Sequence, residues 1–305
     1  MRDERKVWQL MGETSASIYP LAGAVMRPQF EKHFTEQRFY PLTFTAAQMA
    51  PKPISAKLLN SRNPYANPAG TESFLGDTAK AGYIDPDGQG GYVVSEKGAN
   101  AIHDVHEVFY NHINKTNRFP TEKLKELDNL LDKLVTACTK ADLPNGSLCL
   151  DISHKGHPKV EAGSLAEVDQ HLDDMNAFRD DAHIAAWTPT GVSGHVWEVL
   201  SFVWNGEANT VEKLVERLPY RSYSSEDYTK TLDDLTQRGW IEPGEDGHKI
   251  TPVGKQIRDE SEAVTDKNFF GPWKTLSDDE LARLDELLTD LKEINLKLSE
   301  ANKAE

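Results

Sequence analysis

Apolar residues recur along this chain at helical spacing, and a long stretch of them does so twice. Leu124, Leu127, Leu130, Leu131 and Leu134 fall three or four apart in KLKELDNLLDKL (123–134), as do Leu281, Leu284, Leu287, Leu288 and Leu291 in ELARLDELLTDL (280–291). Each run predicts an amphipathic helix with one apolar stripe. The two runs lie 157 positions apart, and Asp128 falls on Asp285 at the same offset. The offset also holds upstream, where LGDTAKAGYIDP (75–86) and LDDLTQRGWIEP (232–243) place Leu75 on Leu232, Gly82 on Gly239, Tyr83 on Trp240, Ile84 on Ile241 and Pro86 on Pro243. After a one-residue slip in the next turn, Ser95-Glu96-Lys97-Gly98 falls on Thr251-Pro252-Val253-Gly254. Leucine periodicity alone does not carry one offset across a Gly-aromatic-Ile corner, so the pattern reads as a duplicated unit.

In the second copy Ser224 is placed to cap a helix, with Asp227 positioned for the reciprocal bond, and the helix carries Tyr228, Leu232 and Leu235 on one face before Gly239 stops it. Trp240 to Pro243 then reads as a short strand, Gly244 to Gly247 as a turn, and Lys249-Ile250-Thr251 as the returning strand. The first copy uses Asn67-Pro68 at the helix start and Asp87-Gly88 with Gly90-Gly91 at the hairpin tip. A preceding helix fits Ile54–Leu59 and Thr210–Leu218, each followed by a Pro-Tyr pair. Helix, turn, helix, two-stranded wing and long helix is the pattern of a winged helix-turn-helix. The expected architecture is therefore mainly α with small β wings, two tandem winged-helix units forming an intrachain pseudo-dimer. The first unit would span 1–140, a linker 141–163 (with Pro144-Asn145-Gly146, His154 to Pro158 and Gly163), and the second unit 164–305, entered by a helix from about Leu165.

Charge divides the copies. Residues 1–92 hold ten Lys/Arg and nine Asp/Glu, against 24 and 40 over 93–305. The second unit's recognition helix sets Glu226, Asp227, Asp233 and Asp234 against Lys230 and Arg238, and an acidic face repels a duplex. In the first unit Arg38, Lys52, Lys57, Arg62 and Lys80 are the candidate DNA contacts. No run approaches the ~18 to 20 apolar residues of a membrane span, and Cys138 and Cys149 match neither a disulfide framework nor a metal spacing. A cytoplasmic protein with two ordinary thiols is expected. His103, His106 and His112 lack the His-Glu-x-x-His spacing, and no phosphate loop, dinucleotide fingerprint or nucleophile elbow is present, so neither metal nor cofactor is expected.

These residues resemble the MarR-type winged-helix superfamily, whose subunit flanks a winged helix with an N-terminal helix and C-terminal helices that pair in a dimer. The second half more closely resembles a tandem helix-turn-helix family in which Arg-Gly-Asp-x-His-(Val/Ile)-Ala-Ala precedes the winged helix and Leu-Thr-x-x-Gly, Thr-Asp and Pro-Trp follow the wing. Here Arg179-Asp180-Asp181-Ala182-His183-Ile184-Ala185-Ala186, Ile250-Thr251-Pro252-Val253-Gly254, Thr265-Asp266 and Pro272-Trp273 match, with Asp180 in place of the Gly and Phe178 in place of a family His. The resemblance implies the fold rather than a reaction.

Arg179 and His183 stand one helical turn apart with Asp180 between them, a face suited to an anionic ligand or to proton transfer, and equally to an ion-paired surface. The candidate ligand residues are Arg179, Asp181, His183, Trp187 and Trp197. Trp197, Phe202 and Trp204 fit a core as well as a pocket wall. Two functions stay open: a MarR-like, ligand-responsive regulator with weak or asymmetric DNA binding through the first unit, and a winged-helix scaffold without DNA binding that binds or converts a small molecule near Arg179 and His183. A protein-interaction adaptor is the third reading. The chain would act as a monomeric pseudo-dimer or as a homodimer.

Overall fold

A computed structural model describes residues 3–156 and 160–304. His157 and Pro158 of the expected linker lie outside the described residues. The chain opens with α1 (Glu4–His33), then α2 (Tyr40–Met49), α3 (Ala56–Arg62), α4 (Pro68–Lys80) and the hairpin β1 (Ile84–Pro86) and β2 (Tyr92–Val94). Two long helices, α5 (Glu96–Thr116) and α6 (Thr121–Cys138), follow. After α7 (Leu148–Lys155) the order recurs as α8 (Leu165–Trp187), α9 (Gly194–Trp204), α10 (Val211–Arg217), α11 (Ser225–Gln237), β3 (Ile241–Gly244), β4 (Gly247–Ile250), α12 (Pro252–Phe270) and α13 (Asp278–Ala304). The molecule is thus mainly helical, with two small antiparallel wings in which Ile84 pairs Val94 and Ile241 pairs Ile250.

Local chemistry accounts for the punctuation. Asn67 Oδ1 accepts from the Ala69 N–H to start α4, and Ser224 with Asp227 closes a reciprocal capping box on α11. Gly82 and Gly239 end these helices at φ of 80° and 71°, the left-handed region that glycine adopts without cost. The N-terminal segment is one helix in spite of Pro20 and Pro28 inside it. Its face of Val7, Leu10, Met11, Ile18, Leu21 and Ala22 is buried against other helices, which offsets the bonds the prolines remove. Within the expected linker, α7 buries Cys149, Leu150 and Ile152 against α8. Both cysteines are buried free thiols.

The main core is a bundle of α1, α5, α6, α8, α12 and α13. Within it α1 packs on α5 and α13, while α8 packs on α12 and α6, so the entering helix of each half lies on the closing helix of the other. Ion pairs cross this bundle at Lys123–Asp290 (2.7 Å), Lys133–Glu280 (2.7 Å) and Arg283–Glu126 (2.6 Å). Smaller cores hold each group of short helices and its wing.

The two helix-turn-helix groups touch at their turns. Asn67 N–H donates to the Arg221 carbonyl at 3.0 Å, and its side-chain amide donates to the Ser222 carbonyl at 3.0 Å. Arg221 Nη1 donates to Asn63 Oδ1 at 3.1 Å. The approach is close enough that a Cβ on Gly194 would stand 2.2 Å from the Pro64 carbonyl oxygen.

Candidate functional site

α8 and α12 meet along a polar face inside the second half. Arg179 and His183, one turn apart on α8, oppose Arg258, Ser261, Glu262, Thr265 and Asp266, which recur at three- and four-residue spacing on α12. The Trp197 indole N–H donates to His183 Nε2 at 3.4 Å, and Thr265 Oγ1 lies 3.4 Å from His183 Nδ1. Because Thr265 gives its own proton to the Ser261 carbonyl, Nδ1–H is the donor in that contact and the ring is neutral. Burial holds the His183 pKa down to about 4, reinforced by the Arg258 and Arg179 cations.

Arg258 is the unusual member. It is 4% exposed, and its guanidinium lies 4.5 Å over the Trp197 ring and 4.9 Å over the Trp204 ring. Nη2 donates to Glu262 Oε1 at 2.8 Å, whereas Nε and Nη1 are buried and find no hydrogen-bond partner among the described residues. Burial lowers its pKa from the ordinary arginine value. Arg179 pairs with Asp266 at 3.2 Å and lies 5.3 Å from the Phe269 ring centre, and its Nη1, like Ser261 Oγ, is buried without a hydrogen-bond partner among the described residues. A buried donor left unmet costs about 1–3 kcal/mol, and this face keeps several.

Of the residues singled out in the sequence, Arg179, His183 and Trp197 come together here. Trp187 stacks on Trp197 at 5.9 Å and donates to Tyr65 Oη at 3.2 Å, which links the face to the first half. Tyr65 also walls a junction cavity of about 250 Å³ with Arg62, Arg221 and Asp180. Asp181 does not join the face: its carboxylate accepts from the Cys149 and Leu150 N–H groups at 2.9 and 2.8 Å and caps α7. Asp180 turns to the junction, where burial raises its pKa and Arg62 opposes the rise. Arg258 and Glu262 were not singled out from the sequence, whereas Trp204 was, as core or pocket wall. The signal was the spacing of Arg258, Glu262 and Thr265 on the helix after the wing, which the pairing of α12 with α8 gives its meaning.

Arg38 and Arg62 line a groove of about 820 Å³ at the junction, with Arg221 and Tyr220 from the second half. Lys52 and Lys57 stand exposed outside it, and Lys80 pairs with Asp77 at 3.3 Å. On α11, Lys230 pairs with Glu226 at 2.7 Å and Arg238 with Asp234 at 2.8 Å, so its cations are engaged within the helix. His106 faces Tyr40 at 2.9 Å and is held neutral by burial.

Capped short helices joined by tight turns, with a hairpin after the second, define a helix-turn-helix protein. Residues 117–298 match the model of a helix-turn-helix family over more than half of the chain, and the chain belongs to that family. No curated protein and no solved structure gave a match. The family makes duplex DNA a candidate partner. No helix among the described residues is long and apolar enough to cross a membrane.

Proposed function

We propose that this helix-turn-helix protein is an intrachain pseudo-dimer whose second half binds a small anionic molecule at Arg179, His183 and Arg258. The observation that carries the reading is Arg258, a cation removed from water whose Nε–H and Nη1–H lack partners beneath two tryptophans. These two N–H groups lie on different edges of the guanidinium, and a carboxylate or phosphate oxygen reaching either one makes a charge-assisted bond. Arg179 and Ser261 add donors, and the indole faces supply apolar walls.

The pseudo-dimer is supported by reciprocity. At the 157 offset Lys123 corresponds to Glu280, Lys133 to Asp290 and Arg283 to Glu126. The first two ion pairs are therefore one contact made twice, and the third joins a position to its own copy, as a two-fold axis requires. The exchange of entering and closing helices resembles the MarR-type subunit arrangement.

Contact between the turns weighs against duplex reading by both units. Paired recognition helices present their base-reading ends about 34 Å apart, one duplex turn. Here Asn67, the cap of α4, bonds Ser222, two residues before the cap of α11, at 3.0 Å. The family assignment and exposed Lys52 and Lys57 favour a second reading, a regulator that grips DNA through the first half alone.

Thermal denaturation against phosphate and mono- and dicarboxylates separates the readings. A rise of several degrees in wild type that vanishes in His183→Ala and Arg258→Met supports the anion site. No rise with any anion, or one retained in both variants, refutes it. Anisotropy with labelled random duplex at low salt tests the second reading, which requires binding that Lys57→Ala weakens.

A further inference from the structure

Where α6 meets α8 in the central bundle, a second cluster plays no part in the anion site. Asp128 of α6 is 7% exposed and His171 of α8 is 3% exposed, with Glu167 one turn before His171 on the same face. His171 Nε2 lies 3.2 Å from Asp128 Oδ1 and 3.9 Å from Glu167 Oε1, and one polar atom from each residue falls within 4.8 Å of the others. The shorter approach is within hydrogen-bond range, yet Asp128 Oδ1 and His171 Nδ1 are both buried and find no hydrogen-bond partner among the described residues, so Oδ1 and Nε2 meet off the bonding axis. Three atoms able to ligate thus converge with the closest two not bonded to each other, the spacing found around a cation.

The duplicated half offers an internal comparison. Asp128 corresponds to Asp285, whose Oδ2 accepts from the Lys6 ammonium at 2.8 Å. Position 163, the counterpart of Lys6, is Gly163, whose N–H donates to Asp128 Oδ2 at 3.0 Å. Thr14 and Leu10 stand at the counterparts of His171 and Glu167. One half sets a lysine against its aspartate beside two groups that carry no charge. The other replaces the lysine with a backbone amide and adds an imidazole and a second carboxylate.

We propose that Asp128, Glu167 and His171 form a binding site for a divalent transition-metal ion of the Zn²⁺ class. Metal–ligand bonds of about 2.0–2.2 Å in a tetrahedron place neighbouring ligand atoms about 3.3–3.6 Å apart. The 3.2 Å pair lies about 0.1 Å short of that range, and Glu167, at 21% side-chain exposure, closes from 3.9 Å by a small rotation. An imidazole in the set favours Zn²⁺ over Ca²⁺ or Mg²⁺, which take oxygen ligands. The ion would bridge the closing helix of the first half to the entering helix of the second.

Tag-free protein, stripped with EDTA and dialysed, is titrated with Zn²⁺ by calorimetry and with Co²⁺ by visible absorption. One equivalent of Zn²⁺, a raised melting temperature and the d–d bands of four-coordinate Co²⁺ are expected. His171→Ala and Glu167→Gln each weaken Kd at least tenfold, and His103→Ala at the outer group of exposed His103 and Glu107 with half-buried Asp104 leaves it unchanged. Since removing His171 disturbs bundle packing, Glu167→Gln at the rim is the deciding variant, with circular dichroism reporting its fold. Failure of the wild type to bind Zn²⁺, or binding that survives Glu167→Gln and disappears with His103→Ala, overturns the proposal.

Discussion

Replacing Arg258 by methionine tests whether that side chain holds the fold or waits for a ligand. The substitution keeps most of the packing volume beneath Trp197 and Trp204 and removes the charge. Lost are the bond to Glu262, worth about 1.5–3 kcal/mol for a charge-assisted pair, and two cation–π contacts of about 1–2 kcal/mol each. Glu262 is half-exposed and is rehydrated without large cost. Relieved are two unmet buried donors, Nε–H and Nη1–H, at about 1–3 kcal/mol each, and part of the cost of holding a cation out of water. The two sides cancel to within about 2 kcal/mol, so urea unfolding followed by tryptophan fluorescence is expected to show a midpoint close to wild type. An ordinary core truncation such as Leu127→Ala costs about 2–5 kcal/mol. A loss above about 4 kcal/mol in Arg258→Met would show that Arg258 supports the fold directly, and would remove the reason for assigning it to a ligand.

Asp181→Ala strips two N–H partners from α7 and is expected to cost about 2–3 kcal/mol while leaving any anion-induced thermal shift intact; loss of that shift at unchanged stability would return Asp181 to the ligand site. Gly194→Ala brings a Cβ against the Pro64 carbonyl and is expected to cost about 3 kcal/mol by forcing the two turns apart; a neutral result in denaturant would mean that the turns separate freely. His183 has a folded pKa of about 4 against 6.5 unfolded. The unfolded chain therefore takes up a proton that the folded chain refuses, and the stability of the neutral ring is present above pH 6.5 and lost as pH falls toward 4. His183→Gln is expected to flatten the stability-versus-pH curve in that window by about 1.4 kcal/mol per unit; an unchanged slope would place His183 in contact with water.

The sequence by itself determined the repeated elements, because their signals are local. Glycine at a left-handed corner, Ser224 with Asp227, Asn67 before Pro68, and leucines every three or four residues each act through neighbours in the chain. It also marked Arg179 and His183, which share a face simply by being four apart. It read the residues of α7 as part of a linker, because the cap of that helix arrives from Asp181, more than thirty residues on. Burial of Arg258 followed from the crossing of α8 and α12 under α9, which no single-helix pattern contains. The convergence of Asp128 with His171 came from packing α6 on α8. Tertiary structure alone decided that the two turns touch, since that contact depends on how the halves cross, on Gly70 admitting the Ser222 side chain and on Gly194 admitting the Pro64 backbone. Periodicity fixes which residues share a face, and only packing decides what each face meets.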